Sequence, residues 1–396
     1  MKDTWRFNGN ELNYLMQVLN SGEVAGMSGS SNQNFERKFA DKVNAKYGIT
    51  FNSGTSTLHA ALHALNVRAG DEVIVPALTV IANLHVIIAQ GAVPIFADID
   101  LESFNIDPID VERKITERTK AIMLVPLYGL PCDYDSFLKI SKRTGVPIIN
   151  DAAQSPLAKY KGKDIASIFD ITSFSFDATK HMSTGDGGMI TTNSEETAVL
   201  IRKFGCLGYS TLQAGDGRVR IKKEVFQNPD FSRHNDIGLN YRMSEFQAAV
   251  GLAQLERLDE FIKLRQKIAS IYLDVLSESK IFVPQKESNE SEHVYWTLAL
   301  RLIDKNITWE KFRQKFVQNG GSGVYAAWKL LYQEDVFKTG RWMLNNPNIY
   351  KNYKHYVCEN AELVQGQIMQ FPLNDSSVND AMVNVDAFDK TLRYFS

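Results

Sequence analysis

The sequence predicts an α/β protein: a mostly parallel sheet with helices on both faces, followed by a smaller α+β lobe. Short apolar segments alternate with helical segments over the first half of the chain, which is the pattern of a parallel sheet covered on both faces. The remainder, from about residue 265, mixes strand and helix patterns. A chain of 396 residues also exceeds what one hydrophobic core usually supports, so two lobes are expected.

The composition argues against several classes of function. The chain has 44 Lys and Arg against 46 Asp and Glu, a formal net charge of -2, so bulk electrostatics favour neither nucleic acid nor an acidic membrane as a partner. Its three cysteines lie far apart, without the spacing of a disulfide framework or a metal site, which predicts no metal and a reducing cytoplasm. The sequence shows no signal peptide and no run of 18 apolar residues, so a cytoplasmic location without a membrane span is expected.

The N-terminal residues predict two helices joined by a loop. A helix is expected from about Glu11 to Leu19, and a second one over Phe35–Val43. Between them, the glycine-, serine- and asparagine-rich residues 26–34 predict a mobile loop.

The next segment, residues 51–65, predicts a strand end, a glycine turn and the start of a helix. The backbone N–H groups of Gly54 and Thr55 and the hydroxyls of Thr55 and Ser56 would lie at the helix N-terminus, where the helix dipole favours an anion. Helix N-capping by Ser53 or Thr55 is the commoner explanation of such a motif and needs no ligand.

From here short apolar strands alternate with helices, and the ligands of such sheets gather at the carboxyl ends of the strands. The expected strands cover residues 72–76, 93–97, 121–126, 146–150, 171–176 and 188–192, and the helices between them cover residues 80–90, 108–114 and 134–144.

One of these strand ends carries an acid. Residues 147–149 are apolar, and Asp151 follows Asn150 where the strand leaves the core. A carboxylate in this place could accept a proton-bearing cation, such as a pyridinium nitrogen. A helix N-cap, for which Asp is also a favoured residue, explains the position equally well.

A single lysine follows another strand end. Phe174 and Phe176 alternate with serines, as in a strand with one buried face, and residues 185–188 form a Gly-Asp-Gly-Gly turn before the next strand. Lys180 lies on the short loop between the two strands, which is the fixed setting that an imine-forming lysine needs. A solvated surface lysine is the ordinary alternative.

The rest of the chain predicts an excursion and a bridge to a second lobe. Residues 207–238 combine glycines with many charges and predict a flap. Ser244 and Gln247 have the spacing of a capping box, and the amphipathic helix that follows them would join the two lobes. The expected domains are therefore a cofactor-binding domain over residues 1–250 and a smaller domain over residues 251–396.

Three separate signals combine into one chemistry: the anion site at residues 54–56, the acid Asp151 and the lysine Lys180. Pyridoxal 5'-phosphate (PLP) requires a phosphate cup, a carboxylate opposite the ring nitrogen and a lysine that forms an imine. The carboxylate keeps the ring nitrogen protonated so that the ring can take up electrons, and the released lysine can move a proton between carbon centres. The residues alone therefore predict a PLP enzyme.

The chain resembles the sugar-nucleotide aminotransferases of the DegT/StrS type, members of the aspartate-aminotransferase-like, fold-type I PLP enzymes. The similarity covers about residues 15–270 and rests on six motifs in the family's order. They are NSGTSTLHAA (52–61), GDEVIVP (70–76), GAVPIFADID (91–100), DAAQS (151–155), SFDATKHMSTGDGG (175–188) and NYRMSEFQAA (240–249). The resemblance implies a large domain with a mostly parallel seven-stranded sheet between helices, and a smaller C-terminal domain.

The resemblance also implies a role for each matching residue. Lys180 would bind PLP covalently and act as acid and base, with a pyridoxamine phosphate form during turnover. Asp151 would pair with the pyridine nitrogen, and Gln154 would lie near the ring and its hydroxyl. The phosphate would be held by the backbone of Gly54 and Thr55 and by the hydroxyls of Ser56 and Ser175. Because the family builds its site across a homodimer interface, Asn240 of a neighbouring subunit would also reach the phosphate.

Two departures from the family pattern bear on the cofactor and the substrate. The family usually carries an aromatic residue that stacks on the cofactor ring where this chain has Val80, so the ring must be covered otherwise. The family's His/Pro-rich segment beyond about residue 320 is replaced by GGSGVYAAWK (320–329), in a part of the chain that often meets the substrate.

The function implied by the resemblance is transfer of an amino group from L-glutamate to a keto group of a nucleotide-linked deoxysugar. The product would be an amino sugar for surface polysaccharide, lipopolysaccharide or a glycoside. A PLP-dependent sugar dehydratase is disfavoured, because the family branch with that activity carries His-His where this chain has Lys180–His181. His181 is expected to pack beside Lys180 or to polarise it. A non-catalytic PLP-fold regulatory protein is disfavoured by the intact lysine, acid and phosphate cup. An amino-acid aminotransferase would need an arginine for the substrate carboxylate, with Arg242 or Arg341 as candidates.

Overall fold

The computed structural model describes residues 5–27, 29–215, 221–340 and 356–396. Its strands are β1 (Tyr47–Phe51), β2 (Glu72–Pro76), β3 (Val93–Ala97), β4 (Thr119–Leu124), β5 (Ile148–Asp151), β6 (Lys159–Tyr160), β7 (Lys163–Asp164), β8 (Ile171–Ser175), β9 (Gly188–Thr192), β10 (Phe282–Pro284), β11 (Ser291–Glu292), β12 (Thr297–Leu302), β13 (Tyr325–Ala326) and β14 (Ile368–Pro372). Its helices are α1 (Glu11–Ser21), α2 (Ser31–Lys42), α3 (Gly54–Ala64), α4 (Ile81–Ala89), α5 (Pro108–Lys114), α6 (Tyr134–Thr144), α7 (Glu195–Gly205), α8 (Lys223–Gln227), α9 (Glu245–Glu256), α10 (Leu258–Leu276), α11 (Trp309–Gln318), α12 (Asp335–Lys338), α13 (Glu359–Gln365) and α14 (Val378–Phe395).

The large sheet has seven strands in the order β1-β9-β8-β5-β4-β2-β3. Strands β3, β2, β4, β5 and β8 pair in parallel, and β9 runs antiparallel between β8 and β1. The predicted fold class, a mostly parallel sheet of seven strands with helices, is thereby confirmed. The antiparallel β9 is the return of the chain after the loop that carries Lys180.

Both faces of this sheet are covered, which explains why residues 73–76 of β2 and 121–124 of β4 are apolar without alternation. β8 alternates in sequence, but its Thr172 and Ser173 are fully buried, so the predicted single buried face of this strand is wrong. In β4, Ala121 and Met123 pack into one buried cluster, whereas Ile122 and Leu124 pack into another. Successive side chains of a strand point to opposite faces, so the two clusters are the two layers of core between sheet and helices. Every residue of β2 is buried.

A smaller antiparallel sheet, in the order β10-β12-β14-β13, lies in the C-terminal part of the chain. Its core includes Phe312, Phe371 and Phe388, which join α11, β14 and α14. Helix α10 connects the two cores: Leu258 and Ile262 pack in a core layer of the large sheet, and residues from Ile268 onward pack in the small one.

Several element boundaries differ by one or two residues from the sequence prediction; the strands expected over residues 121–126 and 146–150, for example, are β4 (Thr119–Leu124) and β5 (Ile148–Asp151). Two larger differences concern helices. Helix α2 begins at Ser31 and not at residue 35, because the carboxylate of the buried Glu245 accepts hydrogen bonds from the backbone N–H of Ser31 at 2.7 Å and of Asn32 at 3.3 Å. This cap comes from a distant helix, so no local pattern reveals it. The expected bridging helix is also divided, because α9 ends at Glu256 and α10 starts two residues later.

Among the residues that the structure describes, no helix combines the length and the apolar character required to cross a membrane.

Candidate active site

The site is built at the carboxyl edge of the large sheet, where two neighbouring strands end. β5 and β8 pair in parallel with Asp151 opposite Ser173, so the residues that follow both strands emerge on the same side. Lys180 lies on the loop after β8, and Asp151 and Lys180 are close enough for each to influence the pKa of the other. The structure therefore brings the predicted acid and the predicted lysine together.

Asp151 is a buried carboxylate with an unusual environment. Its Oδ2 accepts a hydrogen bond from Asn83 Nδ2 at 3.0 Å, and its Oδ1 accepts one from the backbone N–H of Ala153 at 3.2 Å. Burial raises the pKa of Asp151, whereas these hydrogen bonds and the nearby Lys180 act to lower it. Residues 152–158, which directly follow Asp151, form turns and no helix, so the N-cap alternative is wrong and the carboxylate lies at a strand end.

The anion motif forms the start of α3, and Ser53 is its N-cap. Ser53 Oγ accepts from the N–H of Ser56 at 3.1 Å, and Ser56 Oγ accepts from the N–H of Ser53 at 3.2 Å, which completes a capping box. Within the described parts of the chain, no acceptor is bonded to the backbone N–H of Gly54 or Thr55. Capping and anion binding are thus compatible, because they use different N–H groups of one helix end.

Gly54 touches the end of β8. A Cβ atom at Gly54 would lie only 2.7 Å from Ser175 Cβ, so any side chain there would displace Ser175. One turn further, Thr57 Oγ1 and Ser173 Oγ share a hydrogen bond of 2.6 Å. These contacts fix the helix start beside the strand that leads to Lys180.

Lys180 is half-buried, and its amine faces an aromatic ring. Its Nζ lies 4.8 Å from the ring centroid of Trp296. Burial and the cation of Arg265 lower the pKa of Lys180, while Asp151 and Asp177 act in the opposite direction. A lowered pKa increases the fraction of neutral amine, the form that attacks a carbonyl.

Two buried arginines that are not among the predicted site residues hold the loop of Lys180. Arg6 donates to the carbonyl of Ala178 at 2.7 Å and to the carbonyl of Lys180, and Arg265 donates to the carbonyl of Thr179 at 3.5 Å. Arg265 lies two helical turns after Leu258 on the apolar side of α10, a signal that could have singled it out. The isolated Arg6 near the N-terminus gives no such signal.

Gln154 is buried beside the loop after β4. Its Oε1 accepts a hydrogen bond of 2.6 Å from the N–H of Tyr128, a residue with the unfavourable φ of 62°. The following Gly129 has a φ of 105°, and a Cβ there would lie 2.8 Å from the N atom of Tyr295. Gln154 therefore anchors a strained loop; its expected contact with a cofactor ring stays a prediction.

Val80 caps α4, one turn before the asparagine that binds Asp151. The Oγ1 of its neighbour Thr79 and the Oδ1 of Asn83 are buried without a hydrogen-bond partner among the described residues. His181 is also buried; its Nε2 bonds to the carbonyl of Val294 at 2.9 Å, and burial lowers its pKa well below the usual range. A neutral packing role for His181, as expected, agrees with this environment.

Asn240 is exposed and is not gathered with the other predicted residues. The carbonyl of its neighbour Tyr241 accepts a hydrogen bond of 2.8 Å from the N–H of Asn52, two residues before the start of α3. The contribution of Asn240 to a neighbouring subunit stays a prediction. Of the two arginines proposed for a carboxylate substrate, Arg242 contacts Cys206 Sγ at 3.5 Å, and Arg341 lies outside the described residues.

The arrangement fits PLP on its own geometry. The carboxylate of Asp151 is buried without an ion-pair partner among the residues described, as required of a group that faces a protonated ring nitrogen. Only a glycine fits at position 54, beside two backbone N–H groups that are available for a phosphate. Ser175 is the last residue of β8, and Lys180, whose pKa is lowered, lies on the loop that follows this strand.

Comparisons with known proteins agree with this geometry. The sequence model of the DegT/DnrJ/EryC1/StrS aminotransferase family matches residues 6–385. The chain is 39% identical over 292 residues to GDP-perosamine synthase of Escherichia coli O157:H7, covering 74% of this chain and 75% of that protein. It is 37% identical over 292 residues to UDP-2-acetamido-2-deoxy-3-oxo-D-glucuronate aminotransferase of Pseudomonas aeruginosa, with coverage of 74% and 75%.

A solved structure adds evidence for the cofactor. The crystal structure of NtdA from Bacillus subtilis, with bound cofactor PMP, superimposes with a TM-score of 0.81 at 26% identity, over 97% of this chain and 81% of that one.

Proposed function

The chain belongs to the DegT/DnrJ/EryC1/StrS family of PLP-dependent aminotransferases, and we propose that it transfers an amino group from L-glutamate to a keto group of a nucleotide-linked deoxysugar. The observation that carries this proposal is the meeting of Lys180, Asp151 and the N-terminus of α3 at one edge of the large sheet.

Each group at this edge would have a defined task. Lys180 would hold the cofactor covalently, Asp151 would keep a proton on its ring nitrogen, and the N–H groups of Gly54 and Thr55, with the hydroxyls of Ser56 and Ser175, would bind its phosphate. When bound, PLP supplies an electron sink for the carbon that carries the transferred amino group. Once released from the cofactor, Lys180 Nζ would take a proton from that carbon and return one, and its lowered pKa favours the neutral form that accepts a proton.

The substrate proposal draws on the names of the relatives. One of them is named GDP-perosamine synthase, and another is named as an aminotransferase of a UDP-linked 3-oxo sugar. We therefore infer a nucleotide-linked keto sugar as the amino acceptor, with GDP-linked sugars to be tested first. The product would be an amino sugar for a surface polysaccharide, formed by a homodimer in which Asn240 completes the neighbouring site. The three cysteines are buried and form no disulfide, which supports the proposal of a cytoplasmic enzyme.

The decisive test is an absorption spectrum of the holoenzyme before and after addition of L-glutamate. The visible band of lysine-bound cofactor should give way to the near-ultraviolet band of the amine form, without any sugar present. The amine form should then regain the visible band with a keto-sugar nucleotide, and screening GDP-, UDP- and dTDP-linked keto sugars would identify it. A protein that binds no PLP would refute the proposal, and a bound cofactor that ignores glutamate would refute the amino donor.

A further inference from the structure

Two tryptophans form an aromatic wall beside Lys180. The indole N–H of Trp296 donates to the carbonyl of Thr179 at 3.1 Å, and the Lys180 amine lies 4.8 Å from the Trp296 ring centroid. The ring of Trp328 follows, 5.7 Å from that of Trp296 and inclined to it by 19°. Both tryptophans are only partly buried, so an aromatic surface remains open next to the reactive amine.

Tyr128 completes a group of three nearly parallel rings. Its ring centroid lies 5.9 Å from that of Trp328 and 6.5 Å from that of Trp296, with interplanar angles of 20° and 5°. Because the three centroid-to-centroid distances are nearly equal, the rings cannot be stacked one above another in a single line; each ring is offset sideways from the other two. Because Tyr128 is fully buried, the open surface belongs to the two tryptophans.

The wall is fixed by backbone hydrogen bonds from several elements. The backbone N–H of Trp296 donates to the carbonyl of Tyr128 at 2.8 Å, and the guanidinium of Arg265 donates to the carbonyl of Trp296 at 2.6 Å. After Trp328, the N–H of Leu331 donates to the carbonyl of Ala77, directly after β2, at 3.0 Å. The two tryptophans are therefore held by several backbone hydrogen bonds at the same sheet edge as the proposed cofactor residues.

We propose that Trp296 and Trp328 bind the sugar ring of the nucleotide-linked substrate. The inference rests on the proposed function. The reacting sugar carbon has to approach Lys180, whereas the nucleobase is separated from it by two phosphates and a ribose, so the rings beside Lys180 face the sugar. Indole faces pack well against the C–H groups of a sugar ring.

The test separates the sugar from the nucleotide by calorimetric titration of the holoenzyme. The probes are three pairs: GDP and GDP-mannose, UDP and UDP-glucose, dTDP and dTDP-glucose. The variants are Trp328→Ala and Trp328→Phe, and the control is Trp309→Phe, which alters a tryptophan of the small lobe at the start of α11. Thermal midpoint and PLP affinity show that each variant is folded.

For the preferred nucleotide, the wild-type protein should bind the sugar-linked form more tightly than the free diphosphate. Trp328→Ala should weaken binding of the sugar-linked form by about tenfold or more and leave the diphosphate unchanged. Trp328→Phe, which keeps a smaller aromatic face, should fall between, and Trp309→Phe should match the wild type.

Two results would overturn the inference. In the first, Trp328→Ala weakens binding of the sugar-linked form and of the free diphosphate equally, which would assign the contact to the nucleotide. Trp328→Phe gives the same answer if the alanine variant does not fold. No binding of any sugar nucleotide by a wild-type holoenzyme that reacts with glutamate would refute the proposed sugar substrate, and with it the sugar site. The first result leaves the proposed function intact, so the two failures can be distinguished.

Discussion

Lys180 owes its chemistry to its neighbours more than to its own type. Its amine is half-buried against Trp296, and the three carbonyls of residues 178–180 are held by Arg6 and Arg265. Arg265 thus both fixes the loop and contributes a cation that lowers the pKa of Lys180. A lysine with a lowered pKa is neutral over a wider range of pH than a free lysine, so it can bind the cofactor at lower pH.

Replacing Arg265 should therefore change the pH dependence of cofactor binding. In Arg265→Met, the pKa of Lys180 should rise because a nearby positive charge is lost, and the rate of PLP incorporation into apoenzyme should reach its plateau at higher pH. Stopped-flow absorbance from about pH 6 to about pH 10 measures this profile and resolves a displacement of about one pH unit. Arg393→Met, on an exposed helix end, is the charge control. A profile identical to that of the wild type would show that Arg265 acts only as a structural clamp.

Asp151→Asn tests the acid without changing its size. The variant should retain PLP, but the glutamate half-reaction should slow by about two orders of magnitude or more, because the negative charge that we propose faces the ring nitrogen is lost. Single-turnover absorbance measures the step. Asp164→Asn, at another buried aspartate on β7, is the matched control and should react as the wild type does. If both variants reacted at the wild-type rate, Asp151 would be a turn residue only.

Residues that directly follow a recognisable apolar strand could be predicted from the sequence. Asp151 and Lys180 follow apolar strands, and parallel strands direct their ends to one edge. Trp328 and Arg6 could not be predicted, because their positions depend on contacts with residues more than a hundred places away. Tertiary packing, which no local pattern encodes, places them.

At the scale of elements, helix starts carry two different functions in this chain. α3 and α9 begin with the same capping box, Ser53 with Ser56 and Ser244 with Gln247. The second was predicted from its spacing and is confirmed. Only the first lies beside the proposed phosphate site.

This pair offers an internally controlled experiment. Ser53→Ala and Ser244→Ala should each lower the free energy of unfolding by about 1 kcal/mol, since each removes one N-cap acceptor. Only Ser53→Ala should also weaken PLP binding, because it loosens the N–H groups of Gly54 and Thr55. Urea denaturation and equilibrium dialysis measure the two quantities. Equal PLP affinities in the two variants would argue that α3 does not hold the phosphate.

Element boundaries were predictable where strand and helix signals are local. The strands at residues 72–76, 93–97 and 188–192 and the helices at 108–114 and 134–144 have the predicted bounds. The start of α2 was placed wrongly because its cap is Glu245, more than two hundred residues away. The break between α9 and α10 has no glycine or proline to announce it.

At the scale of the whole molecule, we propose that the two lobes divide near Arg257 rather than at residue 250. α9 packs on α1 and α2 of the large lobe, whereas α10 leads from the large core into the small one. Calorimetry should then resolve two unfolding transitions, of which only the large-lobe transition moves to higher temperature with added PLP. A single transition that moves as one would refute independent lobes.

Acid should destabilise the fold through His293. Its Nδ1 accepts the N–H of Tyr295 at 3.0 Å, and burial lowers its pKa to about 3. Between about pH 6.5 and about pH 3 the unfolded chain binds a proton here that the folded chain does not, so stability falls as pH falls, by up to about 1.4 kcal/mol for each pH unit. His293→Gln should flatten this slope in urea titrations over the upper part of that range. His85→Gln, at an exposed site, should leave it unchanged; equal slopes in wild type and His293→Gln would exclude the mechanism.

The clamp on the lysine loop also has a consequence for biosynthesis. Both Arg6 and Arg265 donate to Asn374 Oδ1, at 3.2 and 3.1 Å, so the loop of Lys180 is anchored by residues from three widely separated parts of the sequence. A nascent chain still attached to the ribosome before residue 374 carries all of the proposed PLP-binding residues but not the complete anchor of Lys180. Premature termination just before Asn374 would thus yield polypeptides that contain every proposed PLP-binding residue but in which the position of the Lys180 amine is less well fixed.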